Sequence, residues 1–188
     1  MRIPSIARLA AGSLLCLLPA LAAAQLHAAG LAARVNGAGI SVEKLERSFE
    51  EHLRERGIHI AAVRRPERVK ALKRETLELL VEQELLWQEA SRRGVLADEG
   101  EVGQALAALR SRFPSAAAFA ARLASEGYTE DGYREHLRRL LSARKLLAQA
   151  AASDGAGGAA DGTAAQAGAG ALMRRLREGA RIEILLPL

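Results

Sequence analysis

The most regular stretch of this sequence runs from Pro66 to Arg93 and reads PERVKALKRETLELLVEQELLWQEASRR. Its apolar residues recur at intervals of three and four, which is the spacing of one face of an α-helix. Further apolar residues, including Leu77 and Leu85, widen that face. Proline is favoured in the first turn of a helix, and Gly94 stands where a C-terminal cap is expected. The stretch therefore predicts a long central helix that contacts several partners.

Other helices are predicted on both sides of this stretch. Their expected starts are Ser41, a capping box formed by Asp98 and Glu101, Ser115 and Thr129. Hydrophobic residues make up 49% of the chain but aromatic residues only 3%, so the core must be aliphatic. Leucine and alanine favour helices, and short connections place successive helices side by side. These patterns predict a mainly α domain.

Two short segments at opposite ends of the chain have the pattern of β-strands. Residues 31–36 read as a strand that ends in an Asn36-Gly37 turn, and residues 181–186 alternate in the manner of a strand. An unpaired strand edge would be exposed and prone to aggregation. We therefore expect these segments to pair and to close the domain with a small two-stranded β element.

Residues 150–170 differ from the rest of the chain in composition. They contain small and polar residues and no large apolar side chain, which predicts a flexible linker. A short helix at 172–178 is expected to follow. The predicted organisation is a signal peptide at 1–24, a helical domain at 25–149, the linker at 150–170, and a C-terminal helix and strand at 171–188 that complete the domain.

The first 24 residues have the organisation of a secretory signal peptide. Two arginines precede an apolar run that ends in three alanines, a typical cleavage site. The run of about 16 residues is shorter than the roughly 20 needed to span a bilayer. We predict cleavage between Ala24 and Gln25, a periplasmic location and a soluble mature protein. Cleavage would remove two of the charges that contribute to the formal net charge of +5, together with Cys16, the single cysteine.

No motif in the sequence indicates a catalytic, cofactor or metal site. The four histidines, His27, His52, His59 and His136, are not spaced as a helical metal-binding pair, and no serine lies in a nucleophile elbow. We therefore expect a binding protein with no catalytic, cofactor-binding or metal-binding residues.

A basic cluster lies at the start of the central helix. It comprises Arg64, Arg65, Arg68, Lys70, Lys73 and Arg74. Interleaved glutamates dilute its charge, and the aromatic residues that would stack on bases are missing, so we expect no nucleic-acid partner. The pattern favours a solvated helix start, with contact to an acidic partner or to an anionic membrane surface as the alternative.

Together these elements resemble the N-terminal chaperone domain of the SurA-type folding factors, a family that includes the PpiC/PpiD and PrsA-type proteins. The resemblance rests on Val35-Asn36-Gly37 with Ile40-Ser41 and Leu45, and on the stretches 77–95, 98–102, 119–129, 137–147 and 180–184. It covers residues 31–149 and 171–188. It implies a periplasmic, chaperone-like helical domain that binds unfolded or extended polypeptides, such as outer-membrane or secreted proteins.

The sequence departs from that family at one place. Members commonly carry a parvulin-type prolyl isomerase domain between the last helix and the terminal strand, where this chain has only residues 150–170. The isomerase activity is therefore not carried over, and the resemblance implies a chaperone without catalysis. Two alternatives stay open. One is a dedicated partner subunit of an envelope secretion or polysaccharide-export assembly. The other is an isomerase that acts through a noncanonical site.

Overall fold

The computed structural model describes residues 30–60, 63, 65–154 and 162–188. The elements are, in chain order, β1 (Leu31–Val35), β2 (Ala38–Ser41), α1 (Val42–Glu55), α2 (Pro66–Arg93), α3 (Glu99–Arg110), α4 (Ala116–Ser125), α5 (Glu130–Asp154), α6 (Gly162–Glu178) and β3 (Ile182–Ile184). The predicted signal peptide, with its cleavage site between Ala24 and Gln25, lies outside the described residues.

The mainly α fold is confirmed, and α2 is its central helix with the predicted bounds. The helix ends at Gly94, whose φ of 68° lies in the left-handed region that glycine adopts without strain. Its buried residues belong to three separate packing clusters. Leu77 and Leu80 pack with the sheet, Leu86 packs with α5 and α6, and Leu72 packs with α1. The wide apolar surface of α2 thus serves three interfaces.

The predicted starts of the other helices are also confirmed. Side-chain oxygens of Ser41, Asp98, Ser115 and Thr129 each accept a hydrogen bond from the backbone N–H three residues later, at 2.8 to 3.1 Å. Glu101 completes the capping box by accepting a hydrogen bond from the Asp98 N–H at 2.8 Å. These caps satisfy N–H groups that have no partner within the helix, and they fix where each helix begins.

The β element has three strands in the order β2-β1-β3, which corrects the predicted two-stranded element. The predicted pairing of the chain ends is confirmed, since β1 and β3 are antiparallel with Val35 opposite Ile182. The missed strand β2 forms a hairpin with β1 across Asn36 and Gly37, whose φ angles of 52° and 88° suit a tight turn. Its alanine and glycine residues have low strand propensity, and its last residue also caps the following helix, so β2 has no clear strand pattern in the sequence.

Helices also extend into the segment for which a linker was predicted. Residues 150–154 belong to α5 and residues 162–170 belong to α6, which corrects the prediction at both ends of the segment. Residues 155–161 lie outside the described residues. Alanine is the strongest helix former, and small side chains allow two helices to approach closely, so large apolar residues are not required. Gly168 is buried, and Ala150 packs in the cluster that contains Leu146 and Leu172.

A polar network joins α5, α2 and the sheet. Arg139 Nη1 donates a hydrogen bond to the buried carboxylate of Glu84 at 3.0 Å, and Gln88 Nε2 donates to the same carboxylate at 3.0 Å. Gln88 Nε2 also donates to the carbonyl of Val35 in β1 at 3.0 Å, and Asn36 Nδ2 donates to Gln88 Oε1 at 2.8 Å. This network fixes the position of α5 relative to α2.

Within the part of the chain that the structure describes, no helix has both the length and the apolar character needed to cross a membrane.

Candidate functional site

An open groove lies between α1, α2 and α5. Its larger part has a volume of about 190 Å³, and a smaller part of about 30 Å³ adjoins it. Both parts are lined by Gln83, His136 and Leu140, so they form one continuous groove. We call it the α1/α2/α5 groove. α5 contacts α2 through the ion pair of Arg139 with Glu84 and through the packing of Leu146 with Leu86 and Ala90.

The middle of the groove is aliphatic. Leu79 on α2 and Leu140 on α5 are each 41% exposed, and both line the groove. Leu80 is buried beside them. A single exposed leucine is common on a protein surface. Two leucines that line the same open groove form a surface onto which an apolar segment can pack.

One end of the groove carries positive charge. The half-buried Lys44 of α1 lines it together with Arg139, whose guanidinium also lies 4.7 Å from the ring of Trp87. Burial lowers the pKa of Lys44 and Arg139 lowers it further, while Glu84 acts in the opposite direction. Among the described residues, no carboxylate lies within 4.0 Å of the Lys44 ammonium. The ammonium is thus partly desolvated without a direct ionic partner.

The other end of the groove carries negative charge. Glu51 and Glu55 of α1 line it, and neither is in an ion pair with a described residue. Burial raises the pKa of Glu51, and the neighbouring Glu55 and Glu126 raise it further. Arg54 and Arg47 act in the opposite direction on that pKa, but Arg54 donates its two hydrogen bonds to Glu126, at 2.6 and 2.7 Å. The two carboxylates of the groove therefore remain available to a ligand.

His136 lies in the middle of the groove, where both parts meet. Burial lowers the pKa of its imidazole, and the positive charges of Lys44 and Arg139 lower it further. The ring lies 5.5 Å from that of Tyr128 and 5.6 Å from that of Tyr133. A neutral imidazole among aromatic rings provides a mainly apolar wall at neutral pH.

The sequence pattern indicated no metal-binding role for the four histidines and identified no groove residue. The structure places His52 and His136 in the groove, while His59 is exposed and His27 lies outside the described residues. Leu79 and Leu140 belonged to predicted apolar stripes, and only their exposure in the fold distinguishes them from core leucines. Across the described ranges 30–60, 65–154 and 162–188, no group of three His, Cys, Asp or Glu side chains is placed to hold a metal ion.

The basic cluster at the start of α2 is partly used within the protein. Lys73 Nζ donates to both carboxylate oxygens of Glu46 at 2.5 and 2.7 Å, and Arg74 Nη2 donates to the carbonyl of Leu188 at 2.5 Å. Lys70 lies 3.9 Å from Glu67, and Arg64 lies outside the described residues. The basic side chains at the start of α2 thus contact neighbouring parts of the same protein.

A model of the SurA-like N-terminal domain matches residues 20–147 of the sequence, which is well over half of the chain. The chain belongs to the SurA-like N-terminal domain family. The comparison with curated proteins gave no match. The match ends within α5, so α6 and β3 lie beyond the stretch that identifies the SurA-like domain, although both pack against it.

The virulence factor PEB4 and the periplasmic protein Cj1289 of Campylobacter jejuni are described as two structurally related SurA-like chaperones, and a solved structure from that work is similar to this chain. It is 17% identical to this chain, with a TM-score of 0.39, and the match covers 66% of this chain and 43% of that one. This SurA-like chain thus spans less than half of the length of that structure.

Proposed function

We propose that this protein is a periplasmic, chaperone-like binding protein that holds unfolded or extended polypeptides in the α1/α2/α5 groove. The observation that carries the proposal is the pair of exposed leucines, Leu79 and Leu140, that share an open groove in a SurA-like domain. Export through a signal peptide cleaved between Ala24 and Gln25 would bring the protein to unfolded outer-membrane or secreted proteins.

The chemistry of the groove suits weak and broad binding. Aliphatic side chains gain free energy from burial without requiring one partner geometry, so they discriminate little between apolar segments. The larger part of the groove is open to solvent and can accept a chain segment from the side. Release then requires no change in covalent state, because each contact is weak and reversible.

Replacing both groove leucines should remove most of the client binding. We expect the double variant Leu79→Gln/Leu140→Gln to bind an unfolded outer-membrane protein about tenfold more weakly, since each half-exposed leucine contributes roughly 0.7 kcal/mol of apolar contact. Glutamine retains good helix propensity, so the fold should persist. The measurement is light scattering after dilution of the urea-unfolded client into buffer, with and without the mature protein.

The matched control is Leu96→Gln, because Leu96 is 40% exposed but lies outside the groove, beyond the end of α2. This variant should suppress aggregation as well as the original protein does. Equal losses in the control and in the double variant, or no loss in either, would rule out the groove as the client site. A single partner bound stoichiometrically at nanomolar affinity, with no effect on client aggregation, would support the dedicated-subunit alternative instead.

We further propose that binding proceeds without catalysis. A proline-containing tetrapeptide should isomerise at its uncatalysed rate in the presence of the mature protein, with a parvulin as the positive control. Acceleration that scales with protein concentration and is weakened in Leu79→Gln/Leu140→Gln would establish a noncanonical isomerase site and contradict this expectation.

A further inference from the structure

The charged ends of the α1/α2/α5 groove lie on the same helix face at a defined separation. Lys44 and Glu51 are two helical turns apart on α1, which corresponds to about 10.5 Å along the axis, and Glu55 lies about 16.5 Å from Lys44. All three line the groove. One wall therefore presents a positive group, an interval and then a negative pair, while the leucines of α2 and α5 form the opposite surface.

These charges are not neutralised by ion pairs within the part of the chain that the structure describes. Lys44, Glu51 and Glu55 form no such pair, although charged neighbours such as Arg47 and Arg139 are near. Arg139 is paired with Glu84 and Glu135, and Arg47 donates a hydrogen bond to the Gly127 carbonyl at 2.8 Å. Lys44 and Glu51 are partly buried whereas Glu55 is exposed. A partly desolvated charge without a partner is unfavourable, so a ligand of opposite charge relieves that cost at Lys44 and at Glu51.

We propose that the groove selects extended polypeptide segments in which aliphatic residues are flanked by an acidic residue on one side and a basic residue on the other. The acidic group would lie at Lys44 and the basic group at Glu51 and Glu55. This inference rests on the proposed function and specifies the chemistry of the client.

The spacing of an extended chain fits the groove. Side chains four positions apart lie on the same face of an extended strand, separated by about 13 Å. That value lies between the distances from Lys44 to Glu51 and from Lys44 to Glu55. Of the three intervening positions, the first and the third point to the other face, where aliphatic side chains would meet Leu79 and Leu140. A segment of the type Asp-Leu-Ser-Leu-Lys satisfies both surfaces at once when its aspartate lies at Lys44, and a segment with the reversed order satisfies them in the opposite chain direction.

The test compares four blocked synthetic peptides with the mature protein at low ionic strength. Their central residues are Asp-Leu-Ser-Leu-Lys, Asp-Leu-Ser-Leu-Asp, Lys-Leu-Ser-Leu-Lys and Ser-Leu-Ser-Leu-Ser, within identical flanking sequences. We expect the first to bind about fivefold more tightly than the other three, because it alone forms two ion pairs that are partly shielded from water. Added salt should reduce that preference.

Variants of the protein assign the preference to the groove. Lys44→Met and Glu51→Gln should each weaken the preference, whereas the exposed controls Lys70→Met and Glu50→Gln should retain it. The charge reversal Lys44→Glu makes both ends of the groove acidic, so it should shift the preference to the peptide with two lysines. A change of preference cannot result from partial unfolding, and thermal melts would confirm that each variant is folded.

Equal affinity for all four peptides, or an unchanged preference in Lys44→Glu, would overturn this inference. If the protein still suppresses client aggregation through Leu79 and Leu140 in that case, the proposed function stands and only the charge selectivity fails. If no peptide binds and aggregation is also unaffected, both proposals fail.

Discussion

A protein that ends at residue 170 should be largely unfolded at the temperature at which the mature protein is folded. The lost segment supplies the buried Leu172, the β3 strand, and the partly buried Leu176, Ile182 and Leu186 that pack on the core. Burial of each large aliphatic side chain contributes about 1.5 to 3 kcal/mol, and a domain of this size has a total stability of only about 5 to 15 kcal/mol. The loss should therefore exceed several kcal/mol.

Thermal and urea melts of the truncated and mature proteins provide the measurement. The control is Ile184→Thr in the full chain, because Ile184 lies in the same strand but its side chain is 50% exposed. That variant should melt close to the original protein. Equal melting temperatures for the truncated and mature proteins would show that the C-terminal segment is a free appendage, and that its packing on the SurA-like domain contributes nothing.

The second large effect concerns two leucines on the same helix. Leu146 and Leu140 are both on α5, but Leu146 is fully buried against α2 and α6 whereas Leu140 lines the groove. Leu146→Ala should cost about 2 to 5 kcal/mol, since it removes buried methyl groups and leaves a cavity. Leu140→Ala should cost less than about 0.5 kcal/mol, as is usual for exposed positions.

Urea unfolding followed by circular dichroism would give both free energies of unfolding under identical conditions. The same two proteins should differ in the opposite sense in client binding, provided that Leu146→Ala is studied below its melting temperature. Comparable destabilisation by the two substitutions would mean that Leu140 belongs to the core, and it would remove the structural basis of the groove.

Periodicity and capping chemistry were sufficient for most of the helical fold. The spacing of apolar residues predicted α2, and Pro66 and Gly94 indicated its ends. The other helix starts were predicted from the capping side chains of Ser41, Asp98, Ser115 and Thr129. Apolar spacing and capping residues are both local features, so they can be recognised without knowledge of the tertiary structure. The pairing of β1 with β3 was predicted for a different reason, which is that each isolated strand needs a partner.

Composition was misleading where packing depends on small side chains. The absence of large apolar residues at 150–170 indicated a linker, yet close contact between α5 and α6 uses alanine and the buried Gly168. The groove could not be predicted for a related reason. Leu79 and Leu80 are adjacent in one apolar run, but Leu80 packs with the sheet while Leu79 is exposed in the groove, and that difference depends on the tertiary structure.

The order of strands in the sheet has a consequence for how the chain matures. Strand β1 is the central strand, but one of its two neighbours comes from the far end of the sequence, and Arg181 N–H donates a hydrogen bond to Asn36 Oδ1 across 145 positions. At a synthesis rate of about 5 to 20 residues per second, roughly 7 to 30 s separate the emergence of the two partners from the ribosome. During that interval the outer edge of β1 has no neighbour. A stalled or clipped product that lacks β3 therefore keeps an unpaired strand edge on β1. Only a chain that includes β3 covers that edge.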